Sequence, residues 1–253
     1  MAYDKNMILT LSHVSKSFGN RKAVEDVSFQ VPKKSIFGFI GENGAGKTTT
    51  MKMILGLLKS DQGEIFVNGE AVCYGKNRTN RQIGYLPDVP EFYGFMTPVE
   101  YLKLCGEIGG IPGEELLLKT DQVLNRVGLH EVRGKKIHGF SRGMKQRLGI
   151  AQALLHEPKL LICDEPTSAL DPVGRKEILD ILLEVKEQTT VLFSTHILSD
   201  AERICDQVAF LHRGRLVLIG DRKSLLEKYG KPVQKTEYQE LSLESLFMEV
   251  VKG

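Results

Sequence analysis

No window of the sequence approaches the roughly 18 uninterrupted apolar residues that a membrane-spanning helix needs, so no span is expected. The stretch MAYDKNMILTLSHV carries neither a long apolar core nor a small-residue cleavage site, so no secretory signal is expected either. Cysteine is sparse: Cys73, Cys105, Cys163 and Cys205 lie far apart and form no C-x-x-C pair. Reduced thiols in a cytosolic chain fit that usage better than a metal site or disulfides. An excess of one charge is also missing. Thirty-four Lys and Arg face 32 Asp and Glu, a formal net charge of +2, which gives composition no pull towards nucleic acid. Internal repeats and low-complexity segments are absent. What remains is an ordinary globular balance, 42% apolar and 26% charged, over 253 residues. That length buries a large core, in one large domain or one domain carrying a subdomain. The expectation is a soluble, cytoplasmic chain.

Apolar spacing divides the chain. MILTLSHV and AVEDVSFQV alternate as strands, with SFGNRKA as the turn between them. KSIFGFI, before Gly41, is a more continuous apolar run, as in a strand buried on both faces. GEIFVNGEAV reads as a hairpin turning at Asn68-Gly69, and RQIGYLP as a short strand. From about 88 to 156 the spacing becomes helical, in PVEYLKLCGEI, ELLLKTDQVLNRVGL and GMKQRLGIAQALLH. Strands return in KLLICDEP, TVLFST and DQVAFLHRGRLVLIG, alternating with helices at 172–187 and 197–205. The alternation predicts an α/β fold: a phosphate-loop core with a mainly parallel sheet, an N-terminal antiparallel β subdomain and an inserted helical subdomain. The expected division is 1–87 with 157–220 as core, 88–156 as helical subdomain and 221–253 as a helical tail. That tail puts Leu243, Leu246, Phe247, Val250 and Val251 on one helical face.

The chemistry begins at Gly41-Glu-Asn-Gly-Ala-Gly46-Lys47-Thr48, which matches G-x-x-x-x-G-K-[ST] at every defined position, after a strand and before a helix. Glycines at 41, 44 and 46 let successive N–H groups, with Asn43 and Ala45 among them, converge on phosphate oxygens. The helix start adds partial positive charge. Lys47 would reach the β- and γ-phosphates, and the Thr48 hydroxyl would ligate Mg²⁺, with Thr49 beside it. The bland alternative is a glycine-rich turn that binds nothing. A second apolar strand delivers Asp164 and Glu165 at its C-terminal end, where open α/β sheets bind ligands. Asp164 would hold the metal, and Glu165 would activate the attacking water. Either alone also reads as a solvated acid or a helix cap.

GENGAGKTT, FSRGMKQRLGIAQALLHEPKLLICDEPTSALDP and STH, in that order, resemble the nucleotide-binding subunit of ATP-binding cassette transporters over about residues 7 to 220. The signature form RGMKQR and the tail LSLESLFMEV are most similar to the bacterial subfamily that serves separate ABC-2-type permeases, mostly exporters. The resemblance implies that Phe18 stacks on adenine; the residue reads equally as part of a small core. Asp88 falls where the family places a Gln near the metal and the water; it reads equally as a turn residue between Pro87 and Pro90. His196 matches the histidine that contacts the γ-phosphate and supports Glu165. Ser168-Ala-Leu-Asp171 matches the family's D-loop, and Asp171 before Pro172 is also a good helix cap.

The family signature L-S-G-G-Q reads Phe140-Ser141-Arg142-Gly143-Met144 here. By resemblance, Ser141 and Gly143 close over the γ-phosphate held by a second nucleotide-binding subunit, so that each ATP lies between two protomers. Ser141 by itself reads as a plain helix cap. The implied function is an ATPase that uses ATP and Mg²⁺. It would form a homodimer with a second nucleotide-binding subunit and power a separate membrane permease from the inner face of the cell membrane. That permease would dock near 88–100, where the aromatics read equally as core. Two other classes stay open: a non-transport cassette ATPase acting on ribosomes or DNA, and a regulatory module with little hydrolysis. No sustained heptads separate Lys47 from Ser141, and the basic excess is too small for nucleic acid.

Overall fold

A computed structural model describes residues 4–76, 78–229 and 243. Two sheets lie over one another. β1 (Met7–Phe18), β2 (Arg21–Pro32), β4 (Gln62–Val67) and β5 (Glu70–Ala71) form an antiparallel sheet in the order β2-β1-β4-β5. The larger sheet takes β3 (Ile36–Ile40), β6 (Ile83–Leu86), β7 (Leu160–Asp164), β8 (Thr190–Thr195), β9 (Gln207–His212) and β10 (Arg215–Asp221). Its order is β10-β9-β3-β8-β7-β6, parallel throughout except for β10 against β9.

The parallel sheet is buried on both faces, which is why its strands read as continuous apolar runs. Side chains alternate between two cores with the period of a strand. Ile36, Ile40, Leu161, Cys163, Val191, Phe193, Val208 and Phe210 face a core shared with the helices. Phe37, Phe39, Leu160, Ile162, Leu192, Ala209 and Leu211 face a second core, closed by the antiparallel sheet and by α1 (Lys47–Ile54).

α2 (Pro98–Ile108), α3 (Gly113–Arg126) and α4 (Arg142–Leu154) all lie in the crossover between the neighbouring parallel strands β6 and β7. Sequence sets their starts. Thr97 and Glu100 make a reciprocal capping box before Pro98, and Ser141 caps α4 by accepting from the Met144 N–H at 3.2 Å. α4 lies close on β6, since a Cβ at Gly84 would meet the Ala153 carbonyl oxygen at 2.2 Å. α5 (Pro172–Val185) starts at Asp171, whose carboxylate accepts from the Gly174 N–H at 2.8 Å. α6 (Leu198–Ile204) follows β8, and α7 (Arg222–Tyr229) follows β10. No helix among the described residues is long and apolar enough to cross a membrane.

One expectation changes. The turn SFGNRKA shrinks to Gly19-Asn20, because β1 and β2 stay paired out to Phe18 opposite Arg21. Leu243 is buried against the helical core, and its N–H bonds the Glu202 carboxylate of α6. Leu246, Phe247, Val250 and Val251 lie outside the described residues.

Candidate functional site: a phosphate cradle facing two acids

β3 ends at Ile40, and the chain turns through Gly41–Gly46 into α1. Gly46 has φ 111 and caps α1 with its backbone alone. A Cβ there would lie 2.4 Å from the Ala23 carbonyl oxygen, so both conformation and packing require glycine. Gly44 is also left-handed, at φ 82. Lys47 is buried and folds back over the loop. Its Nζ donates to the Gly41 and Glu42 carbonyls at 2.5 and 3.2 Å. The ammonium thus waits beside the loop whose N–H groups would meet phosphate.

Opposite stand the two acids at the end of β7. Asp164 is 3% exposed and accepts from two hydroxyls, Thr48 Oγ1 on Oδ2 at 2.7 Å and Ser194 Oγ on Oδ1 at 2.6 Å. Ser194 in turn accepts from the Glu165 N–H at 2.9 Å, so one β8 hydroxyl orients both acidic residues. Glu165 occupies left-handed backbone, φ 49. For a non-glycine residue this stores on the order of 1–3 kcal/mol, and it persists only where the surroundings over-determine it. Three contacts do so. Oε1 is 2.9 Å from Lys47 Nζ, an ion pair outside hydrogen-bond alignment. Oε2 faces His196 Nδ1 at 2.7 Å and accepts from the His196 N–H at 3.3 Å.

Phe18, Arg21, Ala23, Asn43, Gly44, Gly46, Lys47, Thr48, Thr49, Asp88, Asp164 and Glu165 enclose a cleft of about 380 Å³. That is within the range of small-ligand sites. Phe18 stands at its mouth, 51% exposed, which removes the small-core reading. Asp88 forms the wall facing the acids. Burial holds its carboxyl above the usual range, and the Arg142 guanidinium, 3.9 Å away, opposes that shift. Its carbonyl accepts from Gln146 Nε2 at 2.7 Å, which ties α4 to the cleft.

Thr48 and Asp164 fit a Mg²⁺ ion. They converge as hard oxygen donors on one point beside the phosphate loop, and no cluster of three or more His, Cys, Asp or Glu competes among the described residues. Mg²⁺ takes such sites with one or two protein oxygens, substrate phosphates and retained water.

Ser141 and Gly143 are not brought to this cleft. Ser141 is exposed, and a Cβ at Gly143 would meet nothing within 4 Å. Three residues at the site were not singled out in the sequence: Ser194, Arg21 and Gln146. Ser194 left a signal, a small polar residue inside the apolar strand TVLFST. Gln146 lies on the buried face of α4 with Gly149, Ile150 and Ala153 and is itself fully buried. Arg21, at the start of β2 and 3.5 Å from the Gly44 carbonyl of the phosphate loop, left none.

The sequence pattern of the family described as ABC transporter matches residues 24–168. An uncharacterised ABC transporter ATP-binding protein, YxlF of Bacillus subtilis strain 168, is 46% identical over 87% of this chain and 73% of its own length. The bacitracin transport ATP-binding protein BcrA of Bacillus licheniformis is 42% identical over 83% of this chain and 68% of its own. A solved ATP-binding subunit of an ABC transporter superposes with a TM-score of 0.83 at 33% identity, over 96% of this chain and 99% of that one. With a phosphate cradle, two strand-end acids and these matches together, the chain belongs to the ABC transporter family, as an ATP-binding, ATP-hydrolysing subunit coupled to transport.

Proposed function

We propose that this subunit hydrolyses ATP in a dimer with a second copy of itself, and that the dimer drives a separate permease, in the export direction. The observation that carries the reading is the convergence of Lys47, Asp164 and Glu165 on one cleft, with His196 held against Glu165. ATP enters with its phosphates on the loop 41–46, and Lys47 exchanges its carbonyl partners for the β- and γ-phosphate oxygens. Phe18 covers the adenine, a stack worth about 1–3 kcal/mol by analogy with base–aromatic contacts. Thr48 and Asp164 would hold Mg²⁺, with Asp88 as a further oxygen donor on the cleft wall, and the ion would supply charge neutralisation at the phosphates. Glu165 takes a proton from the attacking water as its oxygen bonds to the γ-phosphorus and the bond to ADP breaks. His196 keeps the Glu165 carboxylate aimed and faces the same phosphate.

Ser141 and Gly143 would act on the partner's nucleotide. Their support is negative space. Gly143 lies in the first turn of α4, and no atom of the same chain fills the room a Cβ would take there. A phosphate approaching the backbone of the α4 start from outside would need it. ATP that touches both protomers favours closure by mass action, and loss of the γ-phosphate releases it.

The permease would dock beside residues 88–100. Phe92 packs edge-on against Tyr101 in the helical core, whereas Val89, Tyr93 and Phe95 are exposed. Export is the direction we draw from a relative named for bacitracin transport. Such a dimer would sit on the cytoplasmic face of the membrane. Light scattering of Glu165→Gln tests the dimer: the variant should double in mass with ATP and Mg²⁺ and remain monomeric with ADP. A monomer at saturating ATP would overturn it.

A further inference from the structure

The path from Glu165 to Asp171 bends twice through conformations that non-glycine residues avoid, at Glu165 (φ 49) and again at Ala169 (φ 52). Such a path needs determinants outside itself. His196 supplies one, at Glu165. The middle of the segment has another. Thr167 Oγ1 donates to Asp200 Oδ2 at 2.7 Å, and both residues are buried, at 1% and 3% exposure. The other carboxylate oxygen of Asp200 accepts from Arg175 Nη2 at 2.6 Å, in the first turn of α5. Asp200 therefore grips both the middle of the segment and the helix at its end. It stands on α6, four residues past His196.

A buried acid is rare unless paired, so this one has a reason. Fastening α6 to α5 does not require it: Arg203 pairs with Asp180 at 2.7 Å, and Ala201 and Ile204 pack in the same core as Ile178 and Leu182. We propose that Asp200 is a positioning residue for hydrolysis. Through Thr167 it fixes the path of the segment that begins at Glu165, and so sets how the Glu165 carboxylate meets His196 and the water. The two segments are then joined at two points, Glu165–His196 and Thr167–Asp200, and move as one piece. Asp200 does not line the cleft. This inference rests on Glu165 acting on the attacking water.

The test is steady-state ATP turnover by the full chain carrying Thr167→Val, which keeps the branched shape and removes the hydroxyl, against Thr167→Ser, which restores it. Rates are normalised to the fraction of molecules that bind a fluorescent ATP analogue, so that a loss of folded protein does not register as slow turnover. We expect kcat to fall about tenfold or more in Thr167→Val with KM within about twofold of wild type, and Thr167→Ser to keep most of kcat; a hydrogen bond to a charged group is worth that much. Wild-type kcat in Thr167→Val overturns the inference, as does a raised KM at unchanged kcat. Glu165→Gln runs beside them. If it is inactive while Thr167→Val is fully active, the positioning role alone fails. If Glu165→Gln turns over at the wild-type rate, the role of Glu165 fails and the positioning role with it.

Discussion

The cleft and the start of α4 are both phosphate-facing helix starts by motif, yet they differ in how complete they are. In the cleft every charged group already has a partner in its own chain: Lys47 on two carbonyls and Glu165, Asp164 on two hydroxyls, Glu165 on His196. The start of α4 has a capping serine and little else. Ser141 is spent on one backbone N–H, and the space over Gly143 is open. One site is built within the chain; on the proposed reading the other acts only on a partner's nucleotide. In physical terms, the first should bind nucleotide alone, and the second should matter only after a partner arrives.

Substitutions separate the two. The largest effect belongs to Glu165→Gln, which removes the proposed base and leaves the loop intact. Turnover should fall about 10²–10⁴-fold with ATP affinity kept, read by phosphate release and nucleotide titration. Ser141→Ala should come next, with turnover down about 10²–10³-fold, the loss usual for one donor to a reacting oxyanion. Nucleotide affinity of the monomer should stay unchanged, which equilibrium binding measures at concentrations too low for dimer. Ser194→Ala should slow turnover roughly tenfold or more, since Asp164 Oδ1 loses its donor and the Glu165 N–H keeps only the Ser194 carbonyl. Phe18→Ala is the mildest. It should raise the KM for ATP about fivefold or more, as one lost stack implies, and leave kcat near wild type.

The same contrast explains what was legible in the sequence. The phosphate loop is local: eight consecutive residues dictate its turn, its glycine at φ 111 and its lysine. The parallel strands were legible because burial on both faces leaves an apolar run. The β1–β2 turn was misjudged in length because β1 goes on pairing through the polar stretch Ser15–Phe18, which alone resembles a loop. Ser194, Gln146 and Asp200 went unread for a different reason. Each works through side-chain contacts with residues 25 or more positions away, and no local period encodes such partners. Asp88 lies in a bend just after β6 and lines the cleft.

Mixing two inactive variants tests the division between the sites most directly. Glu165→Gln keeps an intact Ser141, and Ser141→Ala keeps an intact Glu165. If each ATP is shared between protomers, a mixed dimer holds one composite site with both defects and one with neither. Turnover on mixing should then rise well above the sum of the two variants alone. If Ser141 served the nucleotide of its own chain, every site in the mixture would carry a defect, and turnover would stay at that sum.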